Sequence, residues 1–335
     1  MRILVTGATS GLGRNATEKL LRDGHEVVAC GRDLAVGHLL TEAGASFRPI
    51  DLGTLTREAA HELMADCQGI WHCAALSAPW GDSQEFEAVN WLATRTLAQA
   101  AAEQGIERFV HISTPAIYFN FTHQQDIPES TTNRQFANDY ARTKFLAEQE
   151  IASMVPRYPA TTFVILRPRG LFGPYDRVLL PRLMAQIRAR HGKLILPGGG
   201  QNTFDLTYVE NVVDAMILAT QKPLQSGSVF NITNQDPQPL ITTLRALFSQ
   251  TETQCQVKSA PYPLLYGLAF CLEKMAVLQR REPLLTRYSL GAAYFTMTLN
   301  NEKAQNELGY YPRYSMAEGI ARTARWLNQH QKGEK

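Results

Sequence analysis

Two residues near the middle of the chain have the types and the spacing for proton transfer. The run Tyr140-Ala141-Arg142-Thr143-Lys144 puts a phenol and an ammonium one helical turn apart, on one face. A free phenol titrates near pH ~10. A nearby ammonium favours the phenolate, lowers that value and makes the phenol an acid or base of use near neutrality. The same spacing is common by chance and is usually a solvated helix face, so its meaning depends on what precedes it.

What precedes it is a glycine loop. The chain opens Ile3-Leu4-Val5-Thr6-Gly7-Ala8-Thr9-Ser10-Gly11-Leu12-Gly13-Arg14 and continues in a helical pattern. A strand that runs through glycines into a helix sets backbone N–H groups and a helix N-terminus against a pyrophosphate. Gly7 permits the tight turn, Gly11 lets the backbone approach the phosphates, and Gly13 lets the helix pack on the strand. The alternative, a plain strand-to-helix turn, is disfavoured by context: the loop follows a strand directly and heads a βαβ unit.

Such a pair and loop need a frame. Short β-branched runs at 2–6, 26–30, 46–50, 69–73, 107–113 and 162–167 alternate with helical patterns at 13–23, 57–65, 85–104 and 138–154. Strands alternating with helices predict an α/β, Rossmann-type, doubly wound parallel sheet covered on both faces. After Arg167 the rhythm breaks in clusters of proline and glycine, which predicts a smaller, irregular C-terminal substrate lobe. The expected division is 1–170 for the nucleotide-binding part, with 204–232 returning to it through a strand at 228–232. Residues 171–203 and 233–330 form the lobe, and 331–335 a frayed tail.

Composition bounds the rest. Of 335 residues, 44% are apolar and 19% charged, which is globular composition. A formal charge of +2, with no basic run, gives no reason to expect nucleic acid. The five cysteines form no Cys-x-x-Cys pair, so neither a disulfide framework nor a metal site is expected, and a reducing, cytoplasmic setting fits. Met1 to Thr6 reads as a buried strand rather than a signal segment. The apolar stretch 263–278 is interrupted by Glu273 and Lys274, so no integral membrane segment is expected. A packed helix is favoured there over one lying on substrate or lipid.

With these residues in place, the chain resembles the extended short-chain dehydrogenase/reductase superfamily, the NAD-dependent epimerase/dehydratase family. It is closest to the 3β-hydroxysteroid dehydrogenase-like group. Ser10 followed by Gly11 departs from the extended spacing, which has its second glycine one place earlier. The resemblance implies that Asp51-Leu52 meets adenine, that His72-Cys73-Ala74-Ala75 packs under the cofactor, and that Val89-Asn90 braces that region. It implies that Lys144 also holds the nicotinamide ribose, and that Pro168 and Gly170 border the cofactor. The active hydroxyl lies four residues before the tyrosine of the strand-end motif, here Tyr118, which selects Thr114. Ser113 is the alternative in another register.

An acid usually ends the second strand of an NAD enzyme. Here Cys30-Gly31-Arg32 ends it, and arginine suits a 2′-phosphate. NADP(H) is therefore preferred and NAD(H) remains open, since a register shift brings in Asp33. Arg14 is a second candidate for that phosphate.

Three departures narrow the chemistry. Pro115 and Ala116 stand where dehydratases carry Asp and Glu. Gly170 stands in the place of the epimerase asparagine, and Phe204 in that of the arginine for the sugar diphosphate. These imply an NADP(H)-dependent oxidoreductase that interconverts a ketone and a secondary alcohol on an apolar small molecule. A sterol-like, isoprenoid or long-chain 3-oxo or 3-hydroxy compound is expected, with Tyr118, Tyr175 and Phe204 as candidate substrate contacts. An epimerase and a non-catalytic NADP(H) sensor are the alternatives. The family also implies a homodimer.

Overall fold

The computed structural model describes residues 1–133, 135–251, 253–279 and 281–331. The expected tail, beyond Gln331, lies outside them. The N-terminal half runs β1 (Arg2–Thr6), α1 (Gly11–Arg22), β2 (Glu26–Gly31), α2 (Leu34–Glu42), β3 (Ser46–Pro49), α3 (Arg57–Leu63) and β4 (Gly69–His72). It continues through α4 (Ser83–Phe86), α5 (Ala93–Glu103), β5 (Arg108–Ile112), β6 (Gln124–Ile127), α6 (Asp139–Met154) and β7 (Thr162–Pro168). The single helix expected at 85–104 is in fact interrupted. A wide π-helical turn, Glu87–Leu92, separates α4 from α5. Such turns recur at functional sites, and this one aims Asn90 at the backbone of Leu76.

The second half begins with β8 (Leu171–Phe172), α7 (Leu179–Ala189), β9 (Lys193–Pro197), β10 (Thr203–Phe204), β11 (Thr207–Tyr208), α8 (Val209–Gln221) and β12 (Ser228–Ile232). Then come β13 (Gln238–Pro239), α9 (Leu240–Gln250), β14 (Gln256–Ala260), α10 (Tyr262–Gln279), α11 (Arg287–Tyr294), β15 (Met297–Leu299) and α12 (Met316–Gln331).

The main sheet has seven strands in the order β12-β7-β5-β4-β1-β2-β3. Every pairing in it is parallel. Alternate residues therefore feed two cores. Ile3, Val5, Val164 and Leu166 face α1, α8 and α12, while Leu4, Ile70, Phe109 and Ile165 face α3, α5 and α6. The strand order reverses between β1 and β4, and a crevice at the carboxyl ends of the strands opens at such a point.

Smaller sheets build the remaining lobe: β13-β10-β15-β6, β11 with β8, and β14 with β9. Helix α10 buries only Leu265, Ala269 and Ala276, and leaves Leu264, Leu268, Met275, Val277 and Leu278 exposed. Among the described residues, no helix is long and apolar enough to cross a membrane.

Candidate active site

A cavity of about 1080 Å³ lies along the carboxyl ends of β1, β2, β4, β5 and β7 and reaches into the lobe. One small-molecule site typically takes ~300–1,000 Å³, so this cavity is at the upper end of that range and large enough for a dinucleotide. The glycine loop forms one border through Gly7, Thr9, Ser10, Gly11, Leu12 and Gly13. A side chain on Gly13 would sit 2.2 Å from the carbonyl oxygen of Gly7, so only glycine lets α1 lie this close to the turn. At Gly7, φ is +69° and a Cβ would meet the backbone of Ala74.

Gly11 has a different role from the one expected. Its N–H donates to the carbonyl of Tyr175 at 2.9 Å, so that donor is not available to a phosphate. The amides of Leu12 and Gly13 have no acceptor among the described residues. They are first-turn donors of the kind that hold phosphate oxygens. These orphan donors, the glycine cradle and the cavity fit a nicotinamide dinucleotide.

At the ribose end, Arg32, Asp51 and Leu52 line the cavity. The Arg32 guanidinium is exposed and stands 3.8 Å from the Asp51 carboxylate. Asp33 also borders the cavity, but its carboxylate is engaged. It accepts from the Val36 amide at 3.1 Å and pairs with Arg177 at 2.9 Å. Those contacts hold it below the usual carboxylate range. Arg14 pairs with Glu18 and covers the ring of Tyr175 at 3.9 Å, outside the cavity lining.

The floor beyond β4 is held by a chain of buried groups. The Ala74 amide donates to Thr6 Oγ1, which faces His72 Nδ1 at 2.7 Å. His72 Nε2 faces Thr94 Oγ1 at 2.8 Å, and Thr94 donates to the Asn90 carbonyl. Because the Thr94 proton is already given, His72 must donate from Nε2 and accept at Nδ1. Burial, helped by the Lys144 charge, brings His72 down to about 3, so it stays neutral. Asn90 closes the same segment by gripping the amide and carbonyl of Leu76. Ala74 and Ala75 line the cavity on this floor.

Tyr140 and Thr114 both line the cavity. Burial pushes the Tyr140 phenol up, and the hydroxyls of Thr114 and Ser77 pull it partly back. Thr114 Oγ1 accepts from the Ala116 amide, which leaves its proton for the cavity side. The Ser113 hydroxyl donates to Glu148. Glu148 in turn forms a buried pair with Arg167 that ties α6 to β7.

Lys144 departs from expectation. Its ammonium lies under the floor, donates to the Ile112 carbonyl at 2.6 Å, and meets His111 Nε2 at 3.0 Å. Burial brings it down to about 7, against the pull of Glu148 and Cys73. It does not border the cavity, and the phenol of Tyr140 is raised rather than lowered. Desolvation outweighs the one-turn spacing, because the ammonium turns toward β5 instead.

On the substrate side, Pro168, Gly170 and Phe204 line the cavity. Tyr118 and Tyr175 do not. Tyr118 is fully buried and donates to Asn231 at 3.0 Å while accepting from Arg167. Tyr175 stacks edge-on against Trp326 beneath Arg14. Nor does α10 reach the lining, although Pro283, Leu284 and Leu285 just after it do. Among the lining residues that went unread in the sequence are Ser77, Arg169 and Tyr288. Arg169 stood in plain view in the Arg-Pro-Arg run, and Ser77 two places after the Ala74-Ala75 pair. Among the described residues no cluster of metal-ligating side chains occurs.

The family model described as "NAD dependent epimerase/dehydratase family" matches residues 3–233. The chain is 33% identical to a 4-hydroxy-2-methyl-3-oxo-4-farnesyl-3,4-dihydroquinoline-1-oxide ketoreductase of Stigmatella aurantiaca, over 96% of this chain and 95% of that protein. It is 30% identical to a decarboxylating sterol-4-alpha-carboxylate 3-dehydrogenase of Mus musculus, over 95% and 89%. In fold it is similar to a UDP-glucuronic acid 4-epimerase of Bacillus cereus solved with NAD. There the TM-score is 0.78 at 22% identity, over 99% of this chain and 98% of that one.

Proposed function

The chain belongs to the NAD dependent epimerase/dehydratase family, and within it we propose an NADP(H)-preferring oxidoreductase that interconverts a ketone and a secondary alcohol on a largely apolar substrate. The family and the named dehydrogenases and reductases among its relatives make it an NAD(P)-dependent oxidoreductase acting on CH–OH groups. The observation that carries the finer reading is Tyr140. It is a half-buried tyrosine whose phenol keeps its proton at neutral pH, and it borders the cavity beside the Thr114 hydroxyl.

The loop amides of Leu12 and Gly13 hold the pyrophosphate, and Arg32 takes the 2′-phosphate. The ribose role that the resemblance implies for Lys144 is not part of this proposal, since its ammonium is turned to the Ile112 carbonyl beneath the floor. A bound nicotinamide supplies or accepts hydride. Thr114 orients the substrate oxygen with its free proton, and Tyr140 delivers a proton to that oxygen in reduction or removes it in oxidation. Phe204 excludes water and favours an apolar substrate. Ser113 is disfavoured in the Thr114 role, since Glu148 holds its proton. A sugar-nucleotide substrate is disfavoured by Gly170 and Phe204, which leave no side-chain donor at those two positions.

A panel of 3-oxo compounds tests this: a sterol ketone, an isoprenoid ketone and long-chain 3-oxo esters and acids. The expected result is NADPH oxidation that rises with the apolar area of the ketone and is slower with NADH. NADPH binding without turnover across the panel, together with conversion of a sugar nucleotide, would remove the proposal.

A further inference from the structure

Arg169 is a cavity residue that neither the fold nor the proton transfer explains. It lines the cavity, half-buried, with Phe204 5.8 Å from its guanidinium. Among the described residues its side chain makes no ion pair and no hydrogen bond, and its Nε is wholly inaccessible and unpartnered. Burial lowers its affinity for the proton, yet arginine starts so high that it stays charged at neutral pH. A cation whose Nε is shut off from water without an acceptor is costly, and such groups persist where a ligand supplies the opposite charge.

The surroundings limit what that ligand is. Asp205 attracts Arg169 from beyond ion-pair distance, but burial raises its carboxyl to about 6 and one of its oxygens accepts from the Leu299 amide at 2.7 Å. Tyr288, half-buried, also lines the cavity, and burial pushes its phenol up to about 12. Phe204, Leu206 and Leu285 supply apolar lining nearby. The cofactor phosphates have their own donors at Leu12, Gly13 and Arg32, across the cavity.

We propose that Arg169 is the anion-binding group of the substrate site, and that the substrate is an apolar acid whose carboxylate lies a few atoms from the reacting carbon. A 3-oxo or 3-hydroxy acid meets that description. Its carboxylate takes the planar fork of Arg169, its oxygen at the reacting carbon meets Tyr140 and Thr114, and its chain lies along Phe204. The inference rests on the ketone–alcohol reading for the place of the reacting carbon, and a binding measurement separates the two.

Titration of 3-hydroxytetradecanoate and its methyl ester into the NADPH-loaded protein tests it, since that complex cannot react. The acid is expected to bind roughly 10- to 100-fold more tightly than the ester, the range for a charged hydrogen-bonded pair. In Arg169→Gln the ratio should fall to near one with NADPH affinity unchanged, and Arg169→Lys should restore part of it. An ester that binds wild type as well as the acid overturns the proposal without any variant. So does a ratio that survives Arg169→Gln, or a loss of NADPH affinity in that variant. If the acid binds through Arg169 but no 3-oxo compound is reduced, the oxidoreductase reading falls and the anion site stands. If neutral ketones are reduced with no preference for acids, the reverse holds.

Discussion

Tyr140 and Lys144 sit one helical turn apart, yet burial acts on them in opposite senses. The phenol goes up and keeps its proton, while the ammonium comes down to about 7 and is half-deprotonated near neutrality. An unfolded lysine holds its proton up to about pH 10.4. Between that pH and about 7 the unfolded chain therefore binds a proton that the folded chain lacks, and Lys144 makes stability rise with pH across the window. Below about 7 both states are protonated and the contribution is flat. The melting temperature of wild type relative to Lys144→Met, without cofactor, should climb from pH 7 to 10; a flat difference would contradict the buried ammonium. Arg32 carries a second expectation. Arg32→Ala should cut the preference for NADPH over NADH by roughly 10- to 100-fold, the range for charged hydrogen bonds to a phosphate. An unchanged ratio of kcat/KM values removes the 2′-phosphate role. Tyr140, Thr114 and Phe204, singled out by the resemblance to the family, all come to line the cavity. Tyr118 and Tyr175 were misread because spacing does not say which way a ring turns. Arg169 was missed because lacking a partner is a property of three dimensions.

At the scale of elements, β1, the glycine turn and α1 form one unit. The bounds of β1 to β5 and β7 were legible to within a residue or two, since most of them are short apolar runs between breakers, while the exposed β6 at Gln124–Ile127 went unread. The 85–104 helix was only partly legible, because a π-turn leaves the apolar period almost unchanged while shifting Asn90 onto Leu76. The lobe was not legible in detail. Its strands are two to five residues long and pair across distant segments, as β10 does with β15. Gly13→Ala tests the unit directly. Its Cβ would fall 2.2 Å from the Gly7 oxygen, so the helix must move off the turn. Overpacking of this kind costs about 1–3 kcal/mol. The expected outcome is a lower melting temperature together with loss of the stabilisation that NADP⁺ confers. A variant that binds NADP⁺ like wild type would show that close approach is not what the glycine provides.

For the whole molecule, the account is a division of labour across the cavity. The parallel sheet presents loop amides and Arg32 at one end, and Tyr140 with Thr114 at the carboxyl end of β5. Phe204 of β10, Tyr288 of α11 and Arg169 just after β7 close the other end. The sheet half was foreseeable from alternation of strand and helix, while the depth of the cavity was not, because it depends on how 168–210 and 283–293 fold over the strand ends. The central claim is that Tyr140 moves the proton while its neighbours only orient and exclude. Single-turnover NADPH oxidation with the best ketone of the panel, in wild type and Tyr140→Phe, tests it most directly. The account predicts unchanged NADPH affinity and a chemical step slowed roughly 10²- to 10⁴-fold, the usual contribution of a positioned acid. Full-speed turnover in Tyr140→Phe would contradict it.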